Sequence, residues 1–360
     1  MTSPPSIRAQ AIFALPSGPA AALALALALP AGCAAPSGGP TSADPWIVHA
    51  GGAGPGRGRR IVLVAGDEEY RSEEALPQLA AILAARHGFH CTVLFSVDPL
   101  SGAIEPGNRQ HIPGLAALDA ADMLVLFTRF RRLSDEDMAH IVRFVESGRP
   151  LLGIRTATHA FAYEPGDASP YAQWSWDSAA WPGGFGRQVL GETWVAHHGA
   201  HGSESTRGVI AAGADGHPML RGVTDVWGPT DVYAVGALPP DASVLLEGAV
   251  LAGMQPDALP VADGRNSPRM PIVWTREREL SSGRRQRIIA STIGAATDLE
   301  CEDLRRLLVN ACYWGLGLEE RIPARSAADL VGAYAPSPFG FDGHRRGRRP
   351  SDVTLRGLRL

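Results

Sequence analysis

The sequence predicts an α/β protein built on a doubly wound, mostly parallel sheet, and three observations lead to this fold class. Short apolar segments alternate with segments whose apolar residues recur at helical spacing. Between residues 59 and 154 the order is strand, helix, strand, turn, strand, helix, strand, which is typical of parallel strands joined by right-handed crossovers. Three of these strands end directly in polar residues, as strands do where a parallel sheet binds a ligand at its carboxyl edge.

The first two strands enclose a helix. A strand predicted at 61–64 is followed by a helix with a leucine-rich face, which is expected to end at Gly88 because glycine readily terminates helices. The alternating pattern of residues 89–95 predicts the second strand. A short helical turn is expected near residues 115–118.

The third and fourth strands enclose a second helix. The apolar segment 123–127 predicts the third strand. Ser134, with Asp137 three residues later, is a helix-capping signature, and the helix that begins there is expected to end at Gly148. The apolar run 151–154 then predicts the fourth strand.

The second half of the chain is less regular and adds further strands. Residues 165–186 combine three tryptophans with prolines and glycines, and no element is assigned to them. The expected elements are strands at 206–211, 231–235, 244–246, 272–275 and 287–292 and a helix at 302–316.

The chain divides into four predicted parts: a signal peptide at 1–33, a flexible linker at 34–58, a folded domain at 59–325 and an extended basic tail at 326–360. The unbroken Ala/Leu run from Ala20 to Leu29 and the small residues after it are typical of a secretory signal. We therefore expect export to the periplasm or cell envelope. Cys33 is a candidate for lipidation, although Pro30 stands where bacterial lipoprotein signals usually have leucine.

Composition excludes some classes of protein. The formal net charge of -4 argues against nucleic-acid binding, which normally requires a basic face. The sequence has no CxxC pair, so zinc knuckles and thioredoxin-like redox motifs are not expected. Cys301 stands at the start of the predicted helix near 302–316 and Cys312 lies within it, about 16 Å away, too far for a disulfide.

Polar side chains follow three of the predicted parallel strands and are expected to meet at one edge of the sheet. They are Asp67, Glu68 and Tyr70 after the first strand, Arg129 and Arg131 after the third, and Arg155, Thr158 and His159 after the fourth. Carboxylates, guanidinium groups and an imidazole can orient hydroxyl groups and move protons. We predict Glu68 and His159 as proton carriers and the group Asp67, Tyr70, Arg129, Arg155 and Thr158 as substrate-binding residues. The alternative is that Asp67 or Glu68 forms a structural ion pair with one of the arginines.

Three histidines, His197, His198 and His201, form a second candidate site. His197 and His201 are four residues apart, as in zinc-binding helices, but Gly199 and the lack of an intervening glutamate argue against a helix here. A divalent metal is therefore one interpretation of this segment, and structural histidines in a polar loop are the other.

Several of these segments together resemble one family. They are IVLVAGDEEYRSEEALPQL, LVLFTRFRRLSDEDMAHIVRFVESGRPLLGIRTATHAF, HHGAHGSESTRGVI, DGHPMLRGV, PIVWTRE and RRLLVNACYWGLGLE. They look like the trehalose-utilisation (ThuA-like) proteins over about residues 59–320. The resemblance implies a flavodoxin-like fold similar to that of class I glutamine amidotransferases. It does not imply amidotransferase activity, since Arg155 and Thr156 stand where that cysteine should be and Gly294-Ala295 where many relatives have Gly-His.

The family resemblance implies a role in carbohydrate metabolism, with disaccharides or 3-keto glycosides as substrates. A partner sugar oxidoreductase would introduce the 3-keto group. In this hypothesis Glu68 or His159 moves a proton while Arg129 and Arg155 stabilise an enolate-like oxygen. Two alternatives stay open. One is a non-catalytic envelope protein that binds carbohydrate through the segment with Trp174, Trp176 and Trp181, and the other is a metal-dependent hydrolase that uses the three histidines. No cofactor is expected other than this metal, and the only expected membrane contact is a lipid anchor at Cys33.

Overall fold

A computed structural model describes residues 44–353 of the protein. The predicted signal peptide, Cys33 and the first part of the predicted linker lie outside the described residues. The described strands are β1 Trp46–His49, β2 Arg60–Gly66, β3 His90–Phe95, β4 Met123–Thr128, β5 Leu151–Ile154, β6 Trp194–His197, β7 Ser205–Ile210, β8 Val226–Gly228, β9 Tyr233–Val235, β10 Ala242–Leu251, β11 Met270–Glu279 and β12 Arg285–Ser291. The α-helices are α1 Ser72–His87, α2 Asp135–Glu146, α3 Glu302–Gly315 and the short α4 Pro350–Val353.

Ten strands form one mixed sheet in the order β1-β3-β2-β4-β5-β12-β11-β10-β7-β8, and β6 pairs with β9 in a separate ribbon. The five strands from β3 to β12 in this order pair in parallel. Numbered along the chain, these parallel strands have the order 2-1-3-4-5. The α/β fold with a parallel core is thus confirmed. The strands outside that core pair antiparallel, several of them through short connections that only antiparallel neighbours allow.

Helices cover both faces of the parallel core. On β2, Ile61 and Leu63 belong to the apolar cluster that contains α1 and α3. Val62 and Val64 belong to the cluster that contains α2. Successive side chains of a strand point to opposite faces, so both faces of β2 are buried, and this explains its continuous apolar sequence. None of the helices described between residues 44 and 353 has the length and hydropathy of a membrane span.

The helix ends follow the predicted capping chemistry. Gly88 closes α1 in the left-handed conformation, with a φ of 78°, which glycine adopts without strain. The Ser134 hydroxyl accepts a hydrogen bond from the Asp137 amide at 3.2 Å and caps α2. Two of the second-half strands are longer than predicted: β10 and β11 have ten residues each, because polar residues near their ends interrupt the apolar pattern. The strand predicted at 231–235 is shorter, since β9 covers only Tyr233–Val235.

The linker prediction is wrong for its described part. Residues 46–49 form β1, which pairs antiparallel with β3, and Ile47 is buried. Gly51 then lies so close to the end of α1 that a Cβ atom there would be 2.1 Å from the Gly88 carbonyl oxygen. Trp46 and Ile47 pack against the apolar core, although the glycines after them resemble a linker.

The basic C-terminal segment also packs on the domain as far as it is described. Ser326 is fully buried and donates a hydrogen bond to the Asn310 side chain at 2.6 Å. Further along, the Gly340 amide donates to the Glu69 carbonyl at 2.7 Å. Phe339 stacks on Tyr70 with ring centroids 5.9 Å apart. Apolar residues that precede the arginines, including Ala328, Val331 and Phe339, anchor the segment, so residues 326–353 are part of the domain.

Candidate functional site

A cavity opens at the carboxyl ends of β2, β4 and β5, the edge at which the sequence predicts a site. It encloses about 380 Å³, including the part open to solvent. Its lining residues are Glu69, Tyr70, Arg129, Phe130, Arg155, Thr156, His159, Trp194, His197 and Tyr233. Four of the predicted strand-end residues, Tyr70, Arg129, Arg155 and His159, are thus brought together, and His197 of the second candidate site joins them. Phe130, Thr156, Trp194 and Tyr233 were not predicted, because aromatic and threonine side chains near strand ends are common in cores.

Arg155 follows β5 directly and is held in an unusual backbone conformation, with a φ of 47°. Its side chain is almost fully buried, and its guanidinium donates to Asp231 Oδ1 at 2.8 Å, to the Asp231 carbonyl at 2.8 Å and to the Thr292 carbonyl at 2.7 Å. Burial works against the charged form, but neighbouring Tyr70 and Asp231 hold the pKa of Arg155 above its ordinary value. A fixed cation therefore lies at the base of the cavity.

His159 ends a 3-10 turn that begins at Arg155, and its imidazole is buried against aromatic rings. Its ring centroid is 5.0 Å from that of Phe130 and 5.8 Å from that of Trp194. Burial, with smaller contributions from Arg129 and Arg155, lowers the pKa of His159 well below its ordinary value. At neutral pH this side chain is a neutral imidazole that can accept a proton.

Glu68 does not occupy the predicted catalytic position. Its carboxylate pairs with the Arg129 guanidinium and, at 2.6 Å, with the guanidinium of the fully buried Arg131. The ion-pair alternative is therefore correct for this residue. The neighbouring Glu69 lines the cavity instead, and burial raises its pKa despite the opposing effect of Arg129.

Asp67 organises the turn after β2 and does not line the cavity. One carboxylate oxygen accepts hydrogen bonds from the amides of Glu69 and Tyr70. The other accepts from the Thr156 hydroxyl at 2.6 Å and so ties this turn to the turn after β5. The predicted substrate contact of Asp67 is replaced by a structural role, because each of its oxygens already has a partner.

Thr158 is likewise a supporting residue. Its hydroxyl lies 2.8 Å from the Tyr233 hydroxyl and 3.2 Å from Nδ1 of His159. Tyr233 in turn donates to the Arg155 carbonyl at 2.6 Å. These bonds fix the His159 ring, whereas the Thr158 side chain does not line the cavity.

The histidine segment contributes two of its three histidines. Nδ1 of His197 lies 2.9 Å from Asp231 Oδ2, and Nδ1 of His201 lies 3.2 Å from Asp231 Oδ1. His198 is turned away, with Nε2 at 2.8 Å from the Arg265 carbonyl. The predicted set of three histidines is therefore wrong at His198. The pairing of β6 with β9 brings Asp231 beside His197 and His201. Because this pairing is long-range, it produces no local pattern in the sequence.

The tryptophans of the irregular segment separate into two groups. Trp174 is buried and stacks on Phe185 at 5.8 Å, and Trp181 packs beside it at 5.3 Å. These two belong to the core. Trp176 lies 5.6 Å from Phe130 and 6.0 Å from Trp194, the aromatic residues of the cavity wall. Trp176 thus extends the aromatic surface that Phe130 and Trp194 present to the cavity, and the Arg129 guanidinium lies against it, 4.6 Å from the centroid of the Phe130 ring.

No protein-family model and no curated protein matches the chain. Among solved structures, a ThuA-like protein from Parabacteroides merdae is similar at 13% identity and a TM-score of 0.46, over 80% of this chain and 97% of that one. A ThuA-like protein from Bacteroides uniformis is similar at 15% identity and a TM-score of 0.43, over 77% and 95%. The glutaminase domain of Trypanosoma brucei CTPS is similar at 7% identity and a TM-score of 0.34, over 76% and 98%. Two of these neighbours carry the family name that the sequence motifs indicate, and the chemistry is inferred below from the residues of the site.

Proposed function

We propose that this chain is a ThuA-like enzyme that acts on 3-keto glycosides by general acid–base chemistry at the carboxyl edge of the sheet. The observation that carries the proposal is a buried, neutral His159 that lines one cavity together with Arg129 and Arg155. The 2-1-3-4-5 order of the parallel strands supports a flavodoxin-like arrangement. In that arrangement a ligand binds where the strand order reverses, which here is between β2 and β4. Glu69 follows β2 and Arg129 follows β4, so both lie at this point.

A 3-keto group makes the adjacent C2 proton acidic. In the proposed reaction His159 accepts this proton, and the electron pair moves onto the keto oxygen to form an enolate beside Arg129 and Arg155. The enolate then expels the C1 substituent: the glycosidic C–O bond breaks, and its electron pair leaves on the aglycone oxygen. Glu69, in place of the predicted Glu68, returns a proton to that oxygen. The products are an unsaturated keto sugar and the free aglycone.

The same residues argue against amidotransferase chemistry. Arg155 and Thr156 occupy the turn after β5, where the resemblance to class I amidotransferases would require a nucleophilic cysteine. Of the cysteines in the described part of the chain, Cys91 and Cys312 are buried in the core and Cys301 precedes α3. We propose that glutamine is not a substrate.

The test compares matched glycosides with their 3-keto derivatives and detects the released aglycone by mass spectrometry. We expect release from the keto forms alone. Replacement His159→Asn should lower turnover by about 10²- to 10⁴-fold, the usual contribution of one general base. The control His140→Asn changes a histidine on α2 that bonds Asp119, outside the cavity, and should keep wild-type turnover. Equal activity of wild-type and His159→Asn protein contradicts the proposal.

A second candidate function is carbohydrate binding without catalysis. The aromatic wall of Phe130, Trp176 and Trp194 favours it, since sugar rings stack on such surfaces. Calorimetry distinguishes the two functions. Saturable binding of the glycoside without any product, by folded protein supplied with divalent metal, supports the binding protein and rejects the enzyme.

We further propose that residues 1–33 direct export and that a sugar oxidoreductase supplies the keto substrate. The apolar run Ala20–Leu29 and the small residues before Cys33 support export. Mass spectrometry of the mature protein from fractionated cells tests this. A mature chain that begins at Cys33 with a lipid mass indicates an anchor, cleavage without lipid indicates a free exported protein, and an uncleaved cytosolic chain contradicts export.

A further inference from the structure

Two histidines and one aspartate, which come from two separate segments, meet beside the cavity, which His197 lines. One ligand atom from each of His197, His201 and Asp231 lies within 4.8 Å of the other two. The two histidine-to-aspartate separations are 2.9 and 3.2 Å. These distances run to different oxygens of Asp231, from His197 to Oδ2 and from His201 to Oδ1. Ligand atoms that share one tetrahedral ion, with bonds of about 2.0–2.1 Å, lie about 3.3 Å apart, which is close to both histidine-to-aspartate distances.

We propose that His197, His201 and Asp231 bind a divalent first-row transition metal ion of the zinc class. Two imidazoles and one carboxylate are a common ligand set for such ions, and a position open to solvent leaves room for water or a substrate oxygen. The ion binding does not depend on the 3-keto glycoside reaction, since it uses neither His159 nor Arg129.

The backbone holds this ligand set in place before any ion arrives. His197 lies opposite Tyr233 in the β6–β9 ribbon, which brings it beside Asp231. The amides of His198 and Gly199 both donate to the Val232 carbonyl, at 3.0 and 2.8 Å, and so hold the turn that carries His201. Asp231 is buried and fixed by Arg155 at 2.8 Å. Ligands positioned in this way lose little conformational entropy when they bind an ion.

Charge and access suit a cation. Arg155 offsets part of the charge of Asp231, but Glu69 places a second carboxylate oxygen 3.5 Å from Nε2 of His201. The side chains of His197 and His201 are 52% and 32% exposed, so an ion can enter from solvent. The competing explanation is that both imidazoles are only hydrogen-bonded to Asp231, and direct binding measurements separate the two.

The experiment uses tag-free protein dialysed against chelator and titrated with Zn²⁺ by calorimetry and with Co²⁺ by visible absorption. We expect one ion per chain. His197→Ala and His201→Ala should each weaken binding by at least about 100-fold, since even the loss of a residue that supports a metal ligand costs 10- to 100-fold. The matched control is His198→Ala, which removes the adjacent histidine that bonds Arg265 and leaves the three ligands in place.

Circular dichroism confirms that each variant is folded. Wild-type protein that binds no stoichiometric ion overturns the metal site. The metal site is also overturned if His198→Ala loses the ion as fully as His197→Ala and His201→Ala. It is overturned as well if only one of His197→Ala and His201→Ala loses the ion. Because no turnover is measured, a protein that binds the ion without cleaving keto glycosides rejects only the proposed function, and an active protein without an ion rejects only the metal site.

Discussion

Arg155 ties together several parts of the site through one buried charge. Its guanidinium bonds Asp231, the Thr292 carbonyl and the Tyr70 hydroxyl, the last at 3.1 Å, and its carbon lies 4.3 Å from the centroid of the Tyr70 ring. These partners come from the segments that follow β2 and β12 and from the segment before β9. Arg155 therefore supports both the cavity and the group formed by His197, His201 and Asp231.

Replacement Arg155→Met should destabilise the protein by about 3–5 kcal/mol, because it removes the buried cationic partner of the Asp231 carboxylate. Urea unfolding, monitored by circular dichroism, measures the change in the free energy of unfolding. The control Arg143→Met removes an arginine on α2 whose contact with Asp119 is half exposed, and it should change stability by less than about 1 kcal/mol. Similar losses in the two variants contradict a special role for Arg155.

The choice between Glu68 and Glu69 marks the limit of sequence reasoning at this scale. Asp67, Glu68 and Glu69 are consecutive carboxylates after one strand, and any of them is a reasonable proton carrier. Which one faces the cavity depends on the turn that Asp67 makes when it accepts the amides of Glu69 and Tyr70. The orientation of these carboxylates also depends on Arg131, which forms an ion pair with Glu68. Neither contact has a spacing that the sequence alone reveals.

At the scale of elements, the parallel core was predictable because its signals are local. Continuous apolar runs, the cap at Ser134 and the terminating Gly88 predict β2, β4, β5 and the ends of the helices. Since the carboxyl ends of parallel strands share one edge, the position of the cavity followed as well. Four of the residues after those strands line this cavity, and their roles in binding or catalysis stay predictions.

The antiparallel half was less predictable because long-range pairing defines it. Asp231 meets His197 only through the β6–β9 ribbon, and no local pattern connects the two residues. The C-terminal segment shows the same effect. Its arginines indicate a solvated tail, but Phe339 packs against both Tyr70 and His201, with centroids 5.9 and 5.4 Å away. Scattered apolar contacts of this kind have no period that a sequence pattern could detect.

At the scale of the whole molecule, buried ionisable groups couple stability to pH, and Glu73 in the first turn of α1 is the clearest case. It is 6% exposed, and neither carboxylate oxygen accepts a hydrogen bond from another residue among the described positions 44–353. Burial raises its pKa from 4.5 to about 8. Between these values the folded protein keeps a proton that the unfolded chain releases. The stability that Glu73 contributes is therefore complete below pH 4.5 and is lost as pH rises towards 8.

Replacement Glu73→Gln removes this titration and keeps the shape of the side chain. Each pH unit within the window corresponds to about 1.4 kcal/mol, so the stability of the variant relative to wild type should increase by about 3 kcal/mol between pH 5 and pH 7.5. Urea unfolding of both proteins at the two pH values measures the difference. The control is Glu74→Gln, since the Glu74 carboxylate already accepts hydrogen bonds from the Ser337 amide and hydroxyl at 2.6 and 2.8 Å. Glu74→Gln should show no such gain at higher pH. The absence of a gain in Glu73→Gln would mean that solvent reaches Glu73 and leaves it ionised in the folded protein, and an equal gain in both variants would mean that the effect does not arise from the burial of Glu73.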